Sequence, residues 1–184
     1  GCEQDVHKYP YDPAEARRLL AKAGYPDGFE FELWSYRERQ VAEAIAADLA
    51  KVGIRAKLRF VTLTTLNQAR KKHRVPAFFA SWESGSTADT ATIAETHWSL
   101  KSDRNLSNDA FVARNMEAAA KTIDPEERKR LYSEALRRIA DQAYWIPLYT
   151  YSQNYLVSKD LVYPVPKDGL PRLFRAHWRA AKAS

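Results

Sequence analysis

The sequence predicts an α/β fold with a mixed sheet flanked by helices. Two observations support this prediction: segments that alternate apolar and polar residues are interleaved with segments of helical period, and the first 80 residues give the order strand, helix, strand, helix, strand after an opening helix. That order favours some parallel pairing, with right-handed connections. The length of 184 residues suits one domain with a hydrophobic core, and we assign residues 1–184 to one domain.

The opening helix has strong signals at both ends. Asp12 is a candidate N-cap, Pro13 suits the first helical position, and Glu15 completes an Asp-x-x-Glu capping box. Gly24 suits the C-terminal cap, and Pro26 prevents the helix from continuing.

Strands and helices then alternate up to residue 80. Phe29, Phe31 and Leu33 alternate with polar residues, which is typical of a half-buried strand. The elements predicted after this strand are, in order, a helix over 37–52, a strand over 54–60, a short helix over 62–72 and an apolar strand over 77–80.

The second half is predicted to be mainly helical, with irregular segments between and after its helices. Its predicted elements are a short helix from Asp89 or Thr90 through Trp98, a helix over 109–121 capped by Asn108, a helix from Asp124 to about Gln142, and an extended segment from Trp145 onward. Pro147 indicates an edge or a bulge in that last segment.

Composition narrows the function classes. The formal net charge is +6, but most cations lie beside acids on predicted helices. The one basic run, residues 70–74, is interpreted as a solvated helix end, so no nucleic acid is expected as a partner. The single cysteine, Cys2, excludes an internal disulfide and a cysteine-based metal site.

No catalytic or metal-binding motif is present in the sequence. The four histidines are far apart, and there is no HExxH, GxSxG, Walker A or dinucleotide-binding pattern. Glu83 and Asp89 could form a carboxylate pair, but nothing in the sequence brings them together. We therefore assign no catalytic residue, no metal ligand and no cofactor, and predict a binding protein rather than an enzyme.

The stretch from Ala77 to Ser99 is the candidate binding site. An apolar strand end leads into Trp82 and then into a loop of small hydroxyl residues, glycine and carboxylates. A stiff strand that carries polar groups and an aromatic into a loop is a common way to build a small-molecule site. The alternative is a solvated turn whose serines and threonines cap the next helix.

Several motifs in order resemble one known family. They are Tyr11-Asp12-Pro13-Ala14-Glu15-Ala16, the run from Ala23 to Phe29, Val52-Gly53-Ile54, Asp124-Pro125-Glu126-Glu127-Arg128 and Ile146-Pro147-Leu148-Tyr149. Together they are similar to the family 5 extracellular solute-binding proteins, the peptide, nickel and oligopeptide receptors of ABC importers. The resemblance covers nearly the whole chain.

The resemblance implies that residues 1–184 are the C-terminal lobe of a type II periplasmic-binding-protein-like fold, with the N-terminal lobe absent from this chain. It implies a substrate-binding component that closes two lobes over a small molecule or short peptide and delivers it to a membrane permease. The resemblance implies a periplasmic or extracellular location. It leaves open whether the full-length protein is anchored to the membrane as a lipoprotein. Alternatives are an enzyme or sensor on the same fold, or a basic nucleic-acid-binding domain.

The resemblance also assigns the binding residues. In peptide-binding members an aspartate shortly after the tryptophan that matches Trp82 holds the peptide ammonium, and that position here falls at Ser86 or Thr87. This departure favours a neutral or anionic solute, or one whose amine is held elsewhere. The hypothesised site comprises Trp82 as a stacking face, Ser84, Ser86 and Thr87 as hydrogen-bonding groups, Asp89 as a solute contact or helix cap, and Tyr149 and Tyr151 as further candidates whose alternative is packing. Because one lobe offers half a pocket, we expect this chain alone to bind its solute weakly.

Overall fold

A three-stranded parallel sheet organises the first half of the molecule. The computed structural model describes residues 5–84, 87 and 89–179. The elements of this half are α1 (Pro13–Lys22), β1 (Glu30–Ser35), α2 (Arg39–Ala50), β2 (Arg55–Phe60), α3 (Leu63–Lys71) and β3 (Ala77–Phe79). The strand order is β2-β1-β3, and Leu33 of β1 pairs with Leu58 on one side and Ala77 on the other.

Helices dominate the second half. They are α4 (Ala91–Ile93), which continues as a π-helix (Ala94–Trp98), then α5 (Ala110–Lys121) and α6 (Pro125–Asp141). A short antiparallel ribbon of β4 (Leu161–Val162) and β5 (His177–Trp178), with a 3₁₀ turn (Leu173–Arg175) between them, comes last. The α/β class is confirmed, and the parallel and antiparallel pairings lie in two separate sheets.

The helix starts follow the predicted capping chemistry with two differences. The Asp12 carboxylate accepts from the backbone N–H of Ala14 and Glu15, as expected of an N-cap. Glu15, however, pairs with Arg18 at 2.6 Å instead of closing a capping box. The expected cap of α5 by Asn108 is wrong, because Asn108 has a φ of +51° and so lacks the extended backbone of an N-cap.

Asp109 caps α5 in its place. Its carboxylate accepts from the backbone N–H of Phe111 at 2.9 Å and of Val112 at 3.1 Å. The Asn105 side chain accepts from the backbone N–H of Asn108 at 3.1 Å and so shapes the turn before the helix.

Two hydrophobic clusters support the fold. Leu33, Ala42 and Phe79 pack the sheet against α2. The second cluster joins the π-helix, α5 and α6, and its largest fully buried members include Tyr132 and Met116. Each buried side chain of this size contributes about 1.5–3 kcal/mol through removal of apolar surface from water.

The segment after α6 was predicted to be extended, with an edge or a bulge at Pro147. Residues 144–158 contain no β-strand, although Tyr149, Tyr151 and Tyr155 alternate with polar residues. In the described part of the chain, no strand pairs with the backbone of this segment. Among the described residues, no helix is long and apolar enough to cross a lipid bilayer.

Candidate functional site

The strand order creates a crevice at the carboxyl edge of the sheet. Helix α2 leads from β1 to β2 on one side, whereas β3 lies on the other side of β1, where Ser35 pairs with Phe79. The connections therefore diverge at the carboxyl ends of β1 and β3. In open α/β sheets, ligands bind at such topological switch points.

Polar side chains from both strand ends meet there. Tyr36 and Arg37 directly follow β1, and Ser81 follows β3. The Arg37 Nη1 donates to Ser81 Oγ at 2.8 Å, and the Tyr36 hydroxyl lies 3.2 Å from the same oxygen. We call the group of Tyr36, Arg37, Glu38, Ser81 and Trp82 the switch crevice.

Charge in the switch crevice is balanced between Arg37 and Glu38. The Arg37 Nε lies 3.1 Å from Glu38 Oε1, and the Tyr151 hydroxyl donates to the same oxygen at 2.9 Å. Glu38 Oε2 is buried and has no hydrogen-bond partner in the part of the chain that the structure describes. The Arg37 guanidinium also lies over the Tyr151 ring, 4.8 Å from its centre. The Glu38 carboxylate and the partly exposed Arg37 guanidinium thus lie side by side.

The pKa values of the tyrosines reflect these contacts. Burial alone would raise the pKa of Tyr36, but hydrogen bonds with Ser81 and Arg37 bring it below its ordinary value. The pKa of Tyr151 is raised well above its ordinary value, by burial first and then by its hydrogen bonds to Tyr149 and Glu38. The Tyr151 phenol therefore remains a protonated donor at neutral pH.

The amino terminus of α2 points to the same edge, because α2 begins where β1 ends. No side chain caps this helix start. An uncapped helix amino terminus carries partial positive charge and free backbone N–H groups. Together with Arg37, it makes the switch crevice suitable for an anionic group.

An aromatic cluster borders the switch crevice. Trp82 is 36% exposed and its ring lies edge-on to His97, with centroids 6.1 Å apart. Trp145 packs against both His97 and Trp98, at 5.0 and 5.2 Å. His97 is buried, and neither ring nitrogen has a partner among the described residues. Burial, followed by the charges of Arg70 and Arg104, lowers the pKa of His97 to about 4, so it is neutral at pH 7.

The structure places some of the sequence-predicted site residues at this edge. Trp82 directly follows Ser81, and Tyr151 reaches the crevice through Glu38 while packing edge-on against Tyr149 at 5.3 Å. Ser84 is half-buried, and its carbonyl accepts from the exposed Thr87. Ser86 lies outside the described residues.

Asp89 lies in a different environment. It accepts from Arg128 Nη2 at 2.7 and 3.0 Å and from the backbone N–H of Ala91 at 2.7 Å. These contacts correspond to the helix-starting role that the sequence left as one alternative. They leave Asp89 less free to bind a solute.

Four residues of the switch crevice were not predicted as site residues from the sequence. Tyr36, Arg37, Glu38 and Ser81 show no motif, but they follow two strands that the sequence did identify. The carboxyl ends of neighbouring parallel strands meet at one edge, so strand order would have singled these residues out. Among the described residues, no group of three or more histidine, cysteine, aspartate or glutamate side chains could hold a metal ion.

Comparison with known proteins places the chain in context. A family model described as "Bacterial extracellular solute-binding proteins, family 5 Middle" matches residues 3–105. The glutathione-binding protein GsiB of Salmonella paratyphi A is 34% identical over 159 residues, which cover 79% of this chain and 31% of GsiB. The chain thus spans about a third of the length of the curated relatives it matches.

Solved structures agree with this comparison. The periplasmic binding protein DppA of Helicobacter pylori, in complex with peptide STSA, superposes with a TM-score of 0.71 and 29% identity, covering 80% of this chain and 30% of DppA. HbpA2 of Haemophilus parasuis gives a TM-score of 0.81 over 97% of this chain and 38% of HbpA2; its 24% identity supports the fold alone.

Proposed function

Because this chain belongs to the bacterial extracellular solute-binding proteins of family 5, we propose that it forms part of the solute site of an ABC importer's receptor. The family binds solutes and does not transform them, which confirms the expectation of a binding protein rather than an enzyme. In this proposal the chain is one lobe, the solute is held between it and a second lobe, and the closed receptor docks on a membrane permease from the periplasmic or extracellular side.

The contact between Arg37 and Ser81 carries the proposal. It joins the ends of β1 and β3 at 2.8 Å, beside the uncapped start of α2. A guanidinium next to a helix amino terminus recognises a carboxylate through charge-assisted hydrogen bonds. We place a carboxylate of the solute at Arg37 and an apolar part of the solute against Trp82.

Glu38 supplies the opposite charge. The Glu38 side chain is 31% exposed, but its Oε2 is buried and has no hydrogen-bond partner in the described part of the chain. In this proposal the side chain turns so that Oε2 accepts from a solute ammonium. The solute amine then lies away from Ser86 and Thr87, the positions to which the resemblance assigns the family's aspartate. A small peptide-like zwitterion therefore fits, which agrees with the glutathione and peptide ligands named for GsiB and DppA.

An NMR titration tests this assignment. The ¹⁵N-labelled chain would be titrated with reduced glutathione and with its diethyl ester, which lacks both free carboxylates. We expect saturable amide shifts at residues 35–38 and 81–84 with glutathione, at about millimolar affinity because one lobe supplies half of the contacts, and smaller shifts with the ester.

Matched variants complete the experiment. Arg37→Met should weaken the glutathione response at least tenfold, whereas Arg55→Met, which changes an exposed arginine on the far strand of the sheet, should leave it unchanged. An equal response to glutathione and its ester, or a response that survives Arg37→Met, would contradict the proposed site.

A further inference from the structure

Arg70, near the carboxyl end of α3, is a buried cation that forms no ion pair with another described residue. It is 7% exposed, and its Nε is buried without a hydrogen-bond partner in the part of the chain that the structure describes. Its guanidinium lies 4.3 Å from the centre of the Phe78 ring. A cation–π contact offsets only part of the cost of removing a charge from water. Arg70 therefore lacks the anionic partner that a buried arginine ordinarily has.

The surroundings of Arg70 are cationic. It lines a cleft of about 240 Å³ together with Asn67, Lys71, Asp103 and Arg104. The one acid of this lining, Asp103, is already paired with Lys71 at 2.9 Å. Asp103 also attracts Arg70 and Arg104 electrostatically. The lining nevertheless carries three cations, Arg70, Lys71 and Arg104, against this one carboxylate.

Arg70 and α2 lie on opposite faces of the sheet, although Arg70 interacts electrostatically with Tyr36 of the switch crevice. In β3, Phe79 packs with α2, whereas Phe78 points to the opposite face of the sheet, where Arg70 lies. The volume of the cleft is below the roughly 300 Å³ at which sites for drug-sized ligands begin. It is therefore suited to a small ion or to one charged group of a larger molecule.

We propose that this cleft is a binding site for a small oxyanion, sulfate- or phosphate-like or a carboxylate, held between Arg70 and Arg104. The anion would supply the missing counter-charge to Arg70, and the Asn67 amide would donate a further hydrogen bond. The site does not depend on the proposed transport function.

His97 provides an independent sensor of the site. The pKa of Arg70 is lowered by burial and then by Arg104, and the same two arginines help to lower the pKa of His97 to about 4. An anion bound between them would cancel part of their charge. The pKa of His97 should then rise, although the anion makes no contact with the ring.

The experiment uses the ¹⁵N-labelled 184-residue chain and three salts at matched ionic strength. Sulfate and acetate, each titrated at pH 7 against chloride, represent an inorganic oxyanion and a carboxylate. We expect saturable amide shifts at residues 67–71 and 102–105 with one or both of them, and none with chloride. The stronger of the two responses shows whether the cleft prefers an inorganic oxyanion or a carboxylate. For sulfate, which keeps its charge in acid, the His97 pKa measured by NMR should rise by about half a unit or more.

Two variants separate binding from structure. Arg70→Met keeps an unbranched side chain, shorter than arginine, and removes the buried charge, so it should abolish the oxyanion response without lowering the melting temperature. Arg104→Ala changes an exposed side chain and should weaken the response at least fivefold, whereas Arg55→Ala should not. Shifts no larger than those with chloride, or an oxyanion response that survives Arg70→Met or Arg104→Ala, would overturn the site.

Discussion

Arg128 Nη2 donates to both carboxylate oxygens of Asp89, at 2.7 and 3.0 Å, and so ties α6 to the loop that follows β3. The two side chains are 30% and 36% exposed. The hydrogen bond from Arg128, followed by that from the Ala91 backbone, holds the pKa of Asp89 below its ordinary value. Asp89 is thus an ionised structural partner at neutral pH.

Asp89→Asn should therefore affect stability more than solute binding. Asparagine keeps the acceptor for Ala91 but loses the ion pair, so we expect the free energy of unfolding to fall by about 1 kcal/mol, since the pair is partly exposed. Urea denaturation measures this change. In the glutathione titration, Asp89→Asn should change affinity less than twofold. A loss as large as that of Arg37→Met would instead make Asp89 a solute contact.

Asp109 should make stability depend on pH in strong acid. Its side chain is 7% exposed and accepts from Arg138 and Tyr144, both at 2.9 Å. Burial would raise its pKa, but hydrogen bonds from Arg138, the Val112 backbone, Tyr144 and the Phe111 backbone lower it to about 2. Relative to an unfolded value of about 3.9, this contributes roughly 2.5 kcal/mol to stability, present above pH 4 and lost as the pH falls through 2.

The test compares Asp109→Asn with the wild type by urea denaturation between pH 7 and 2. The variant should be less stable by about 2 kcal/mol at pH 7, and the difference should shrink towards pH 2. Asp124→Asn, which changes the cap of α6, serves as the control and should cost well under 1 kcal/mol because asparagine caps as well as aspartate. A difference that stays constant down to pH 2 would contradict the assignment.

His97 should make stability depend on pH in a higher window. Folding lowers its pKa from 6.5 to about 4, so the unfolded chain binds more protons between these values. Stability should fall by up to about 3 kcal/mol as the pH drops from 6.5 to 4 through this group. His97→Phe keeps an aromatic ring among Trp82, Trp98 and Trp145 and should reduce this loss by at least half. Equal slopes in wild type and variant would show that folding does not lower the pKa of His97.

The sequence predicted those parts of the fold that local chemistry determines. Asp12, Pro13 and Gly24 set the bounds of the first helix through signals within twelve residues, and alternating burial identified β1 and β2. The resemblance to the family depended on such local motifs and was confirmed. The sequence did not predict which distant residues surround each of these residues in the folded chain.

The site was harder to predict because its groups come from distant parts of the chain. Arg37 and Ser81 meet only because β1 and β3 are neighbours, and the order of the strands is not a local property. The pairing of Asp89 with Arg128 spans 39 residues, so the sequence alone did not predict it. In contrast, Asn108 was a local error, since two adjacent residues both had capping side chains.

Gly28 should be intolerant of any side chain. Its φ is +74°, and a Cβ there would lie 1.9 Å from the carbonyl oxygen of Gly53. Gly24 also has a positive φ, +90°, but nothing lies within 4 Å of its Cβ position. Gly24→Ala should therefore cost about 1 kcal/mol from backbone strain alone, whereas Gly28→Ala should cost at least about 3 kcal/mol because the turn before β1 must also move. Thermal and urea unfolding of both variants would measure the difference, and equal costs would contradict the close approach.

Trp82 and Trp145 should separate binding from stability. Both are about equally exposed, at 36% and 39%. Trp145 packs on two rings, His97 and Trp98, whereas the ring contact of Trp82 with His97 has a longer centroid distance, 6.1 Å. Trp82→Ala should therefore lower the free energy of unfolding by about 1 kcal/mol or less and Trp145→Ala by about 2 kcal/mol or more.

Affinity should show the reverse order, because Trp82 follows Ser81 at the switch crevice and is 36% exposed there. In the glutathione titration, Trp82→Ala should weaken binding about tenfold, which corresponds to about 1.4 kcal/mol, and Trp82→Phe should restore part of it. Trp145→Ala, measured where it remains folded, should change affinity less than threefold. If both tryptophans affected binding equally, the effect would come from the aromatic cluster as a whole, and Trp82 would have no direct role in contacting the solute.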